Sequence, residues 1–217
     1  MARLTHTIPA IILDIEELAP SGEGVGQYGD LRVAVLGALL GERVRARVYK
    51  HGQTEAFARL LEVLQPAPER VAAPCPYFGD CGGCQWQHAG YQHQLRLKRE
   101  QLLSILELTG LERARLADLV RPVVGMADPW HYRNHARFSV TRDGSLGFTL
   151  AHSRRPMRID ACLLMHPFIN QVLALLQGRV RGLHQVAVRY GIRTGQFLIQ
   201  PRVPEIDHLI ETGQPHL

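Results

Sequence analysis

Four cysteines are the residues of this sequence whose type and spacing could do chemistry. Cys75, Cys81 and Cys84 are spaced as C-x5-C-x2-C, and Cys162 follows after a further 77 residues. Glycine lets a backbone wrap tightly and presents N–H groups without a side chain in the way. Thiolates converging on one face, with N–H donors toward their sulfurs, are what a cuboidal iron–sulfur cluster requires. The glycines between the first three thiols are Gly79, Gly82 and Gly83.

Zinc is the competing metal for these thiols. Zinc ribbons favour paired C-x2-C knuckles, and the sequence has only one such pair. His88 and His93 lie nearby and could serve zinc, although a lone histidine near a turn is more often a polar surface residue. Three close cysteines with one remote cysteine are more typical of a [4Fe–4S] site. Four unrelated thiols are the weakest interpretation, because three of them lie within ten residues of one another.

Positive charge is concentrated in one stretch of the chain. The net charge of +5 divides into −1 over residues 1–70 and +6 over residues 71–217. Residues 131–158 hold six arginines against one acid, Asp143. A concentrated basic patch favours a polyanionic partner, for which RNA or DNA is the usual choice. A solvated basic face explains the charge equally well.

The N-terminal sequence and the apolar runs predict a soluble, cytoplasmic protein without a membrane partner. Asp14, Glu16 and Glu17 stand where the apolar region of a signal peptide would have to end. The longest apolar run, residues 33–41, is about half of what a membrane-spanning helix needs. In that compartment four cysteines are not expected to form two disulfides, and a monomer is expected.

The elements that must position these residues divide into two expected domains, 1–66 and 67–217. The first is predicted to be a small β-barrel, with a glycine-rich turn at 20–26 and a proline-rich linker from residue 66 to residue 76. The second mixes helices with β-hairpins that turn at Asp143-Gly144 and Thr194-Gly195. The predicted fold class is therefore mainly β with α+β. Strands are predicted at 8–15, 31–36, 42–49 and 56–64, and helices at 90–109 and 167–177. The apolar stripe expected on the first helix is Tyr91, Leu95, Leu102, Ile105 and Leu106.

One predicted strand of the barrel carries arginines on its polar side. Arg43, Arg45 and Arg47 alternate with apolar residues between positions 42 and 49. An arginine-lined strand in a barrel of this size fits an OB-like nucleic-acid binder. The wet face of an ordinary antiparallel strand explains the same alternation.

Several longer segments of the sequence carry a resemblance to a known family. They are Gly-Glu-Gly-Val-Gly at 22–26, Gly-Glu-Arg-Val-Arg-Ala at 41–46, Pro-Glu-Arg-Val at 68–71, the cysteine segment at 75–87, Trp-His-Tyr-Arg-Asn-His-Ala-Arg at 130–137, and Ile-Asp-Ala-Cys at 159–162 followed by His166-Pro167. These segments are similar to the iron–sulfur type of RNA (uracil-5-)-methyltransferase, which modifies ribosomal or transfer RNA. One departure is Leu163, where that family usually has proline.

The resemblance implies a fold, a cofactor and a substrate class. Residues 1–66 would form a TRAM domain, an OB-like RNA-binding barrel, and residues 67–217 an iron–sulfur and central RNA-recognition domain of α+β type. The cluster would be structural, and the RNA would be ribosomal or transfer RNA, with 23S rRNA as the first expectation. The implied ligands of the [4Fe–4S] cluster are Cys75, Cys81, Cys84 and Cys162.

Eight residues are candidates for RNA contact. Arginine pairs bidentately with phosphate and stacks on bases, and Tyr132 could stack on a splayed base. Core packing is the alternative role for Tyr132, and a hydrogen bond at a turn or strand edge is the alternative for Asn134. The candidates are Arg133, Arg137, Arg154, Arg155, Tyr132, Asn134, Arg43 and Arg45.

The family's Rossmann-like, S-adenosylmethionine-binding domain is expected to be absent from these 217 residues. No glycine-rich strand–turn–helix motif occurs before Leu217. With all four cysteines assigned to the cluster, none remains as the nucleophile that attacks C6 of uracil. The chain alone is therefore expected to be inactive, with a separate methyltransferase half as a partner. A stand-alone RNA-binding iron–sulfur or zinc module without enzymatic activity is the alternative.

Overall fold

The structure is a computed structural model that describes residues 10–19, 21–151 and 153–203. The described residues within Met1–Pro74 and Gln85–Gly125 form one compact unit, and those within Cys75–Cys84 and Met126–Leu217 form another. This division does not coincide with the expected boundary at residue 66. Residues 8 and 9 of the first predicted strand, Pro20 of the predicted turn and the end of the chain fall outside the described residues. No helix in the described ranges combines the length and the apolar character needed to cross a membrane.

A six-stranded sheet forms most of the first unit, in the order β1-β5-β6-β4-β3-β2. Its two outermost strands, β1 and β2, are consecutive in the chain and are separated only by Ile15 and Glu16. The N–H of Ile15 donates to the carbonyl of Glu42 and that of Glu16 to Val25, each at 2.8 Å. The two edges of the sheet therefore meet at this point. The strands are β1 Ile11–Asp14, β2 Glu17–Leu18, β3 Gly24–Tyr28, β4 Leu31–Leu36, β5 Arg43–His51 and β6 Glu55–Gln65.

Strand β5 has the alternation that the sequence predicts. Val44 and Ala46 are fully buried, whereas the arginines between them are exposed. Successive side chains of a strand point to opposite faces, so the apolar set enters the core and the arginines remain in water. Inward-facing residues of β1, β4, β5 and β6 form a single core cluster.

Two glycines that the sequence places in a turn lie instead in strand β3. Gly24 and Gly26 pair with Val35 and Val33 of β4. A Cβ on Gly26 would lie 2.0 Å from the carbonyl oxygen of Asp14, and a Cβ on Gly24 would lie 2.9 Å from the carbonyl oxygen of Ala38. These glycines therefore permit close approach of backbones within the sheet, which is the other common use of glycine in strands.

Two helices complete the first unit, α1 at Tyr91–Glu107 and α2 at Arg113–Leu119. Helix α1 ends at Glu107, two residues before the predicted end, and Gly110, whose φ is +84°, follows in the turn that terminates it. Its predicted apolar stripe is partly wrong, because Leu102 and Ile105 are exposed whereas Leu97 and Leu103 are buried. Helix α2, which the sequence did not reveal, packs against α1 and helps to decide which of its faces is covered.

A buried carboxylate fastens the predicted linker to the first sheet. Glu42 is fully buried and accepts the N–H of Leu39 at 2.8 Å and that of Ala67 at 3.3 Å. Arg70 Nη2 donates to Glu42 Oε2 at 2.7 Å. Burial alone would raise the pKa of Glu42, but the hydrogen bonds from Arg70, Leu39 and Ala67 and the charge of Arg70 hold it below its ordinary value. The start of the proline-rich segment is thus packed and not a free linker.

The described residues of the second unit form a five-stranded antiparallel sheet with one helix, in the strand order β11-β10-β7-β8-β9. Both predicted hairpins form. Phe138 and Val188 on one sheet face share a core cluster with Ile169 and Leu173 of the helix. The described chain is therefore mixed α and β and mostly sheet, as predicted. The elements are β7 His135–Val140, β8 Leu146–Thr149, β9 Pro156–Arg158, α3 Pro167–Leu176, β10 Gln185–Tyr190 and β11 Phe197–Arg202.

Candidate cluster site and nucleic-acid interface

The three close cysteines lie on a run of tight turns. The N–H of Phe78 donates to the carbonyl of Cys75 at 3.1 Å, and that of Cys81 to Tyr77 at 2.8 Å. Gly79 has a φ of +93°, a left-handed conformation that favours glycine. The segment therefore folds back on itself between Cys75 and Cys81.

This turn is attached to the end of strand β8. The N–H of Gly82 donates to the carbonyl of Thr149 at 3.0 Å, and the N–H of Ala151 donates to the carbonyl of Asp80 at 2.8 Å. A Cβ on Gly82 would lie 3.3 Å from the Thr149 carbonyl oxygen, so a glycine suits this close approach. The attachment places all four cysteines in the second unit, whereas His88 and His93 belong to the first.

A tyrosine joins the turn to the segment that carries the remote cysteine. The Tyr77 hydroxyl accepts the N–H of Asp160 at 2.8 Å and donates to Asp160 Oδ2 at 3.0 Å. Hydrogen bonds from Arg158 and then from Tyr77 lower the pKa of Asp160, which keeps it an ionised acceptor. Asp160 stands two residues before Cys162, so this pair of bonds ties the close cysteines to the distant one.

The backbone of Cys162 is held from its other side by helix α3. The N–H of Cys162 donates to Asn170 Oδ1 at 2.9 Å, and Asn170 Nδ2 donates to the Cys162 carbonyl at 3.1 Å. Pro167 occupies the first turn of α3, and the His166 imidazole accepts the N–H of Phe168 at 3.2 Å. A capped helix start thus supplies the rigid support on which Cys162 rests.

The four thiols are half-buried, and their electrostatics link three of them. Burial raises the pKa of the Cys81 thiol, the N–H of Gly83 opposes that rise, Cys162 and Cys75 add to it, and Arg133 opposes it. Cys81 therefore lies within electrostatic reach of two other candidate ligands and has an N–H donor on its sulfur. Among the residues that the structure describes, no group of three or more His, Cys, Asp or Glu could hold a metal ion as placed.

Removing the Tyr77 hydroxyl tests whether this attachment holds the site together. We expect Tyr77→Phe to lower the free energy of unfolding by about 1 to 2 kcal/mol, because Asp160 loses a donor and its N–H loses an acceptor. Tyr132→Phe is the matched control, since Tyr132 is exposed and has no hydrogen bond within the described ranges; its effect should stay within about 0.5 kcal/mol. Urea unfolding of both variants makes the measurement. Equal effects of the two substitutions would contradict the role of Tyr77.

The predicted Tyr-Arg-Asn segment runs beside the residues that follow Cys162. The N–H of His131 donates to the carbonyl of Leu163 at 2.9 Å, and that of Arg133 to Leu164 at 2.8 Å. The N–H of His166 returns a bond to the carbonyl of Arg133 at 2.8 Å. Leu163, the departure from the family pattern, therefore supplies a carbonyl to this pairing, which a proline could also do.

Six of the eight candidate RNA contacts belong to the second unit. Arg133 is partly buried, and the other five are exposed. Arg154 and Arg155 lie in the connection between β8 and β9, beside the residues that attach the cysteine turn. The exposed five are Tyr132, Asn134, Arg137, Arg154 and Arg155.

The other two candidates, on strand β5 of the first unit, have acidic partners. Arg43 Nη1 lies 3.0 Å from Asp14 Oδ2, and Arg45 Nη1 lies 2.8 Å from Glu62 Oε2. Both carboxylates stand on the strands that flank β5, so these are cross-strand ion pairs on a wet face. The arginines remain accessible, but their charge is partly compensated within the sheet.

The chain is similar in sequence to proteins named RNA methyltransferases. No family model matches it. It is 38% identical over 202 residues to an uncharacterized RNA methyltransferase of Halalkalibacterium halodurans. The alignment covers 85% of this chain and 43% of that relative. This chain is a relative of RNA methyltransferases. It is also 35% identical over 202 residues to the 23S rRNA (uracil(1939)-C(5))-methyltransferase of Alkalilimnicola ehrlichii, over 88% of this chain and 44% of that protein.

A solved structure shares the fold. The tRNA (uracil-54, C5)-methyltransferase of Pyrococcus abyssi, in complex with S-adenosyl-L-homocysteine, matches with a TM-score of 0.61 at 20% identity. The match covers 91% of this chain and 48% of the Pyrococcus chain. The chain thus spans less than half the length of the relatives it matches.

Two further arginines that the sequence did not single out lie beside the candidate RNA contacts. Arg189 on β10 stands directly opposite His135, and Arg202 on β11 stands opposite Gln185. The predicted hairpin gave a sequence signal for Arg189 alone, because Arg202 lies beyond its second predicted strand at 196–200. The position of Arg189 beside β7 depends on the pairing of β10 with β7, which joins residues about fifty positions apart.

Proposed function

We propose that this chain binds one [4Fe–4S] cluster and recognises RNA as part of an S-adenosylmethionine-dependent RNA (uracil-C5-)-methyltransferase. The observation that carries the proposal is the attachment of the Cys75–Cys84 turn, through Tyr77 and Asp160, to the segment of Cys162. The relatives named as RNA methyltransferases support the enzyme class. The 23S rRNA relative makes ribosomal RNA the first expected substrate, and transfer RNA the second.

The chemistry of the four thiols fits a cluster better than a single ion. A tetrahedral zinc site draws its sulfurs to about 2.3 Å from one metal and thus close to one another. In a cubane cluster each cysteine binds a different iron, so the thiolates stay farther apart while still facing one centre. The sequence offers one C-x2-C pair where zinc ribbons use two, and the Cys81 sulfur has an N–H donor from Gly83, as cluster sulfurs do. Cys75, Cys81, Cys84 and Cys162 would hold the cluster.

The role proposed for the cluster is structural. Attack on C6 of uracil and methyl donation from a sulfonium involve no electron transfer, so the methylation chemistry does not need a redox group. Because metal binding and folding are coupled, a cluster bridging residues 75 and 162 would stabilise the second unit. The proposal assigns all four cysteines to this task and assigns none of these 217 residues to nucleophilic attack.

Residues 1–66, which carry the six-stranded sheet, are proposed to be a TRAM domain, an OB-like barrel that contacts RNA. Its support is the meeting of the two sheet edges at Ile15 and Glu16, which is how a six-stranded sheet would close. Arg43 and Arg45 remain candidate contacts there, with the smaller contribution expected of paired charges. A protein that acts on ribosomal or transfer RNA would work in the cytoplasm. We take it to be a monomer there.

RNA binding by the complete chain tests the proposal. Fluorescence anisotropy with a uridine-containing RNA strand should show binding that weakens steeply with salt, and a duplex DNA of equal length should bind more weakly. Incubation with S-adenosylmethionine and RNA, followed by nucleoside mass spectrometry, should yield no 5-methyluridine from this chain by itself. No binding to RNA at about 0.1 M salt, where the Debye length is near 10 Å, would contradict the proposal.

The arginines beside the cysteine turn should matter more to RNA than those of the barrel. We expect Arg154→Gln with Arg155→Gln to weaken RNA binding about tenfold or more, because neither guanidinium has a carboxylate partner within the described residues. Arg43→Gln with Arg45→Gln removes the same charge from paired sites and should weaken binding about threefold or less. Anisotropy titrations at one salt concentration compare the two. A larger loss of affinity in the Arg43/Arg45 variant than in the Arg154/Arg155 variant would contradict the assignment of Arg154 and Arg155 as the stronger RNA contacts.

A further inference from the structure

One face of the five-stranded sheet carries polar and positively charged residues. Helix α3 and the core cover the opposite face, where Ala136, Phe138, Val186 and Val188 point. Residues directly opposite each other in an antiparallel pair share a face, so the strand register defines three rows across β7, β10 and β11. We call the surface formed by these rows the basic sheet face. The rows are Ser139–Gln185–Arg202, Arg137–Ala187–Gln200 and His135–Arg189–Leu198.

Arg137 and Arg189 on the basic sheet face lack, within the described residues, the carboxylate partners that several arginines of the first unit have. None of the nine residues in the three rows is acidic. Arg137 and Arg189 are exposed, stand one row apart on adjacent strands, and have no carboxylate at ion-pair distance in the part of the chain that the structure describes. By contrast, Arg32, Arg43 and Arg45 of the first unit each have a carboxylate partner.

His135 lies directly opposite Arg189 and two residues before Arg137, and its pKa responds to their positive charge. Burial lowers the pKa of His135, and the charges of Arg189, Arg137 and Arg133 lower it further. Neutral imidazole is therefore favoured at this position, and Nε2 of His135 is buried without a hydrogen-bond partner among the described residues. The basic sheet face and the cysteine turn both belong to the second unit.

We propose that the basic sheet face binds the sugar–phosphate backbone of RNA, with Arg137 and Arg189 as phosphate contacts and Arg202 at its margin. This inference rests on the proposed function, since it names the surface by which the second unit would hold RNA. Unpaired like charges on adjacent strands repel each other, and a polyanion relieves that repulsion.

The shape and chemistry of the face suit a backbone better than a base-reading pocket. Ala187 lies between Arg137 and Gln200 in the central row, and its small side chain lets an RNA strand approach the sheet. Gln185 and Gln200 offer amides that bond equally well to phosphate or sugar oxygens. No exposed aromatic ring lies in the three rows to stack on a base. Contacts of this kind position RNA without selecting its sequence.

Salt-dependent binding of the complete chain tests the proposal. The double variant Arg137→Gln/Arg189→Gln is titrated against a fluorescent single-stranded RNA at several salt concentrations. Two lost phosphate contacts should lower the slope of log Kd against log salt by about 1.4, since each contact on a single strand contributes about 0.7. Affinity at fixed salt should fall about tenfold or more. Arg137→Lys/Arg189→Lys, which keeps the charge, should retain the slope of the unaltered chain.

A control and three outcomes separate this inference from the proposed function. Arg179→Gln removes an exposed arginine that follows the C-terminal end of α3 and should leave the slope unchanged. A lower salt slope for Arg137→Gln/Arg189→Gln, with an unchanged salt slope for Arg137→Lys/Arg189→Lys, supports RNA binding by the basic sheet face. An unaltered slope in the glutamine pair, while the parent chain binds RNA, overturns the inference and leaves the proposed function standing. Failure of the parent chain to bind RNA overturns both.

Discussion

Cys162→Ser is expected to remove most of the iron from the protein and to destabilise the second unit. Serine keeps the shape of the residue, but its hydroxyl does not ionise to a ligand as a thiol does. Loss of one of four ligands should release the cluster, and the free energy of unfolding should fall by about 4 kcal/mol or more, because cluster binding and folding are coupled. Iron analysis under anaerobic conditions and urea unfolding provide the two measurements.

A neighbouring substitution gives the matched control for Cys162→Ser. Ala161 is exposed and adjacent to Cys162, so Ala161→Ser adds the same hydroxyl group without removing a thiol. It should leave the iron content unchanged and alter stability by less than about 0.5 kcal/mol. A Cys162→Ser protein that kept its full iron content would remove Cys162 from the ligand set.

Glu42→Gln is expected to lower the free energy of unfolding by about 3 to 5 kcal/mol. The substitution keeps the size of the side chain but leaves the Arg70 guanidinium, which is 20% exposed, without its buried counter-charge. The amide also cannot accept at both positions where the N–H groups of Leu39 and Ala67 now donate. Urea unfolding measures the loss. Glu62→Gln is the control, because it breaks the exposed pair with Arg45 and should cost about 0 to 1 kcal/mol.

The same carboxylate predicts how stability depends on pH. The pKa of Glu42 is lower in the folded protein than in the unfolded chain, so the unfolded state binds the proton first. The stabilisation is fully present above the ordinary glutamate pKa, about 4.3, and is lost as the pH falls below it through the folded value. Glu42→Gln should therefore lose less stability than the parent chain between pH 5 and the acid transition, as urea titrations at each pH would show. Parallel losses in the two proteins would contradict the assignment.

Elements defined by neighbouring residues could be predicted from the sequence. Strand β5 followed from the alternation of arginine with apolar residues, and the β7–β8 hairpin from Asp143-Gly144. Helix α3 followed from Pro167 at its start and Gly178 just past its end, where φ is +72°. In each case the signal lies within a few residues, and the tertiary structure agrees with the local preference.

Features that depend on distant partners could not be predicted. Gly24 and Gly26 have the composition of a turn, and only the approach of the Asp14 and Ala38 backbones gives them a place in a strand. The proline-rich segment has the composition of a linker, but the buried carboxylate of Glu42 captures its first residues.

Some features of the candidate site could likewise be predicted from the sequence, and others could not. The spacing of the first three cysteines predicts a cluster site, because the candidate ligands are close in sequence. The residues that support the cysteines could not be predicted in this way, because Tyr77 bonds to Asp160 across 83 positions and Asn170 bonds to Cys162 from a helix. The basic sheet face needed the register of β10 against β7 before Arg189 could be placed beside Arg137.

The metal content of the anaerobically purified chain tests the central claim most directly. Iron, acid-labile sulfide and zinc are quantified per chain, and the visible spectrum is recorded on the same sample. We predict a brown protein with about four irons and four sulfides per chain, the composition of one [4Fe–4S] cluster held by four cysteines. A colourless, folded protein that contains one zinc and no iron would contradict the account.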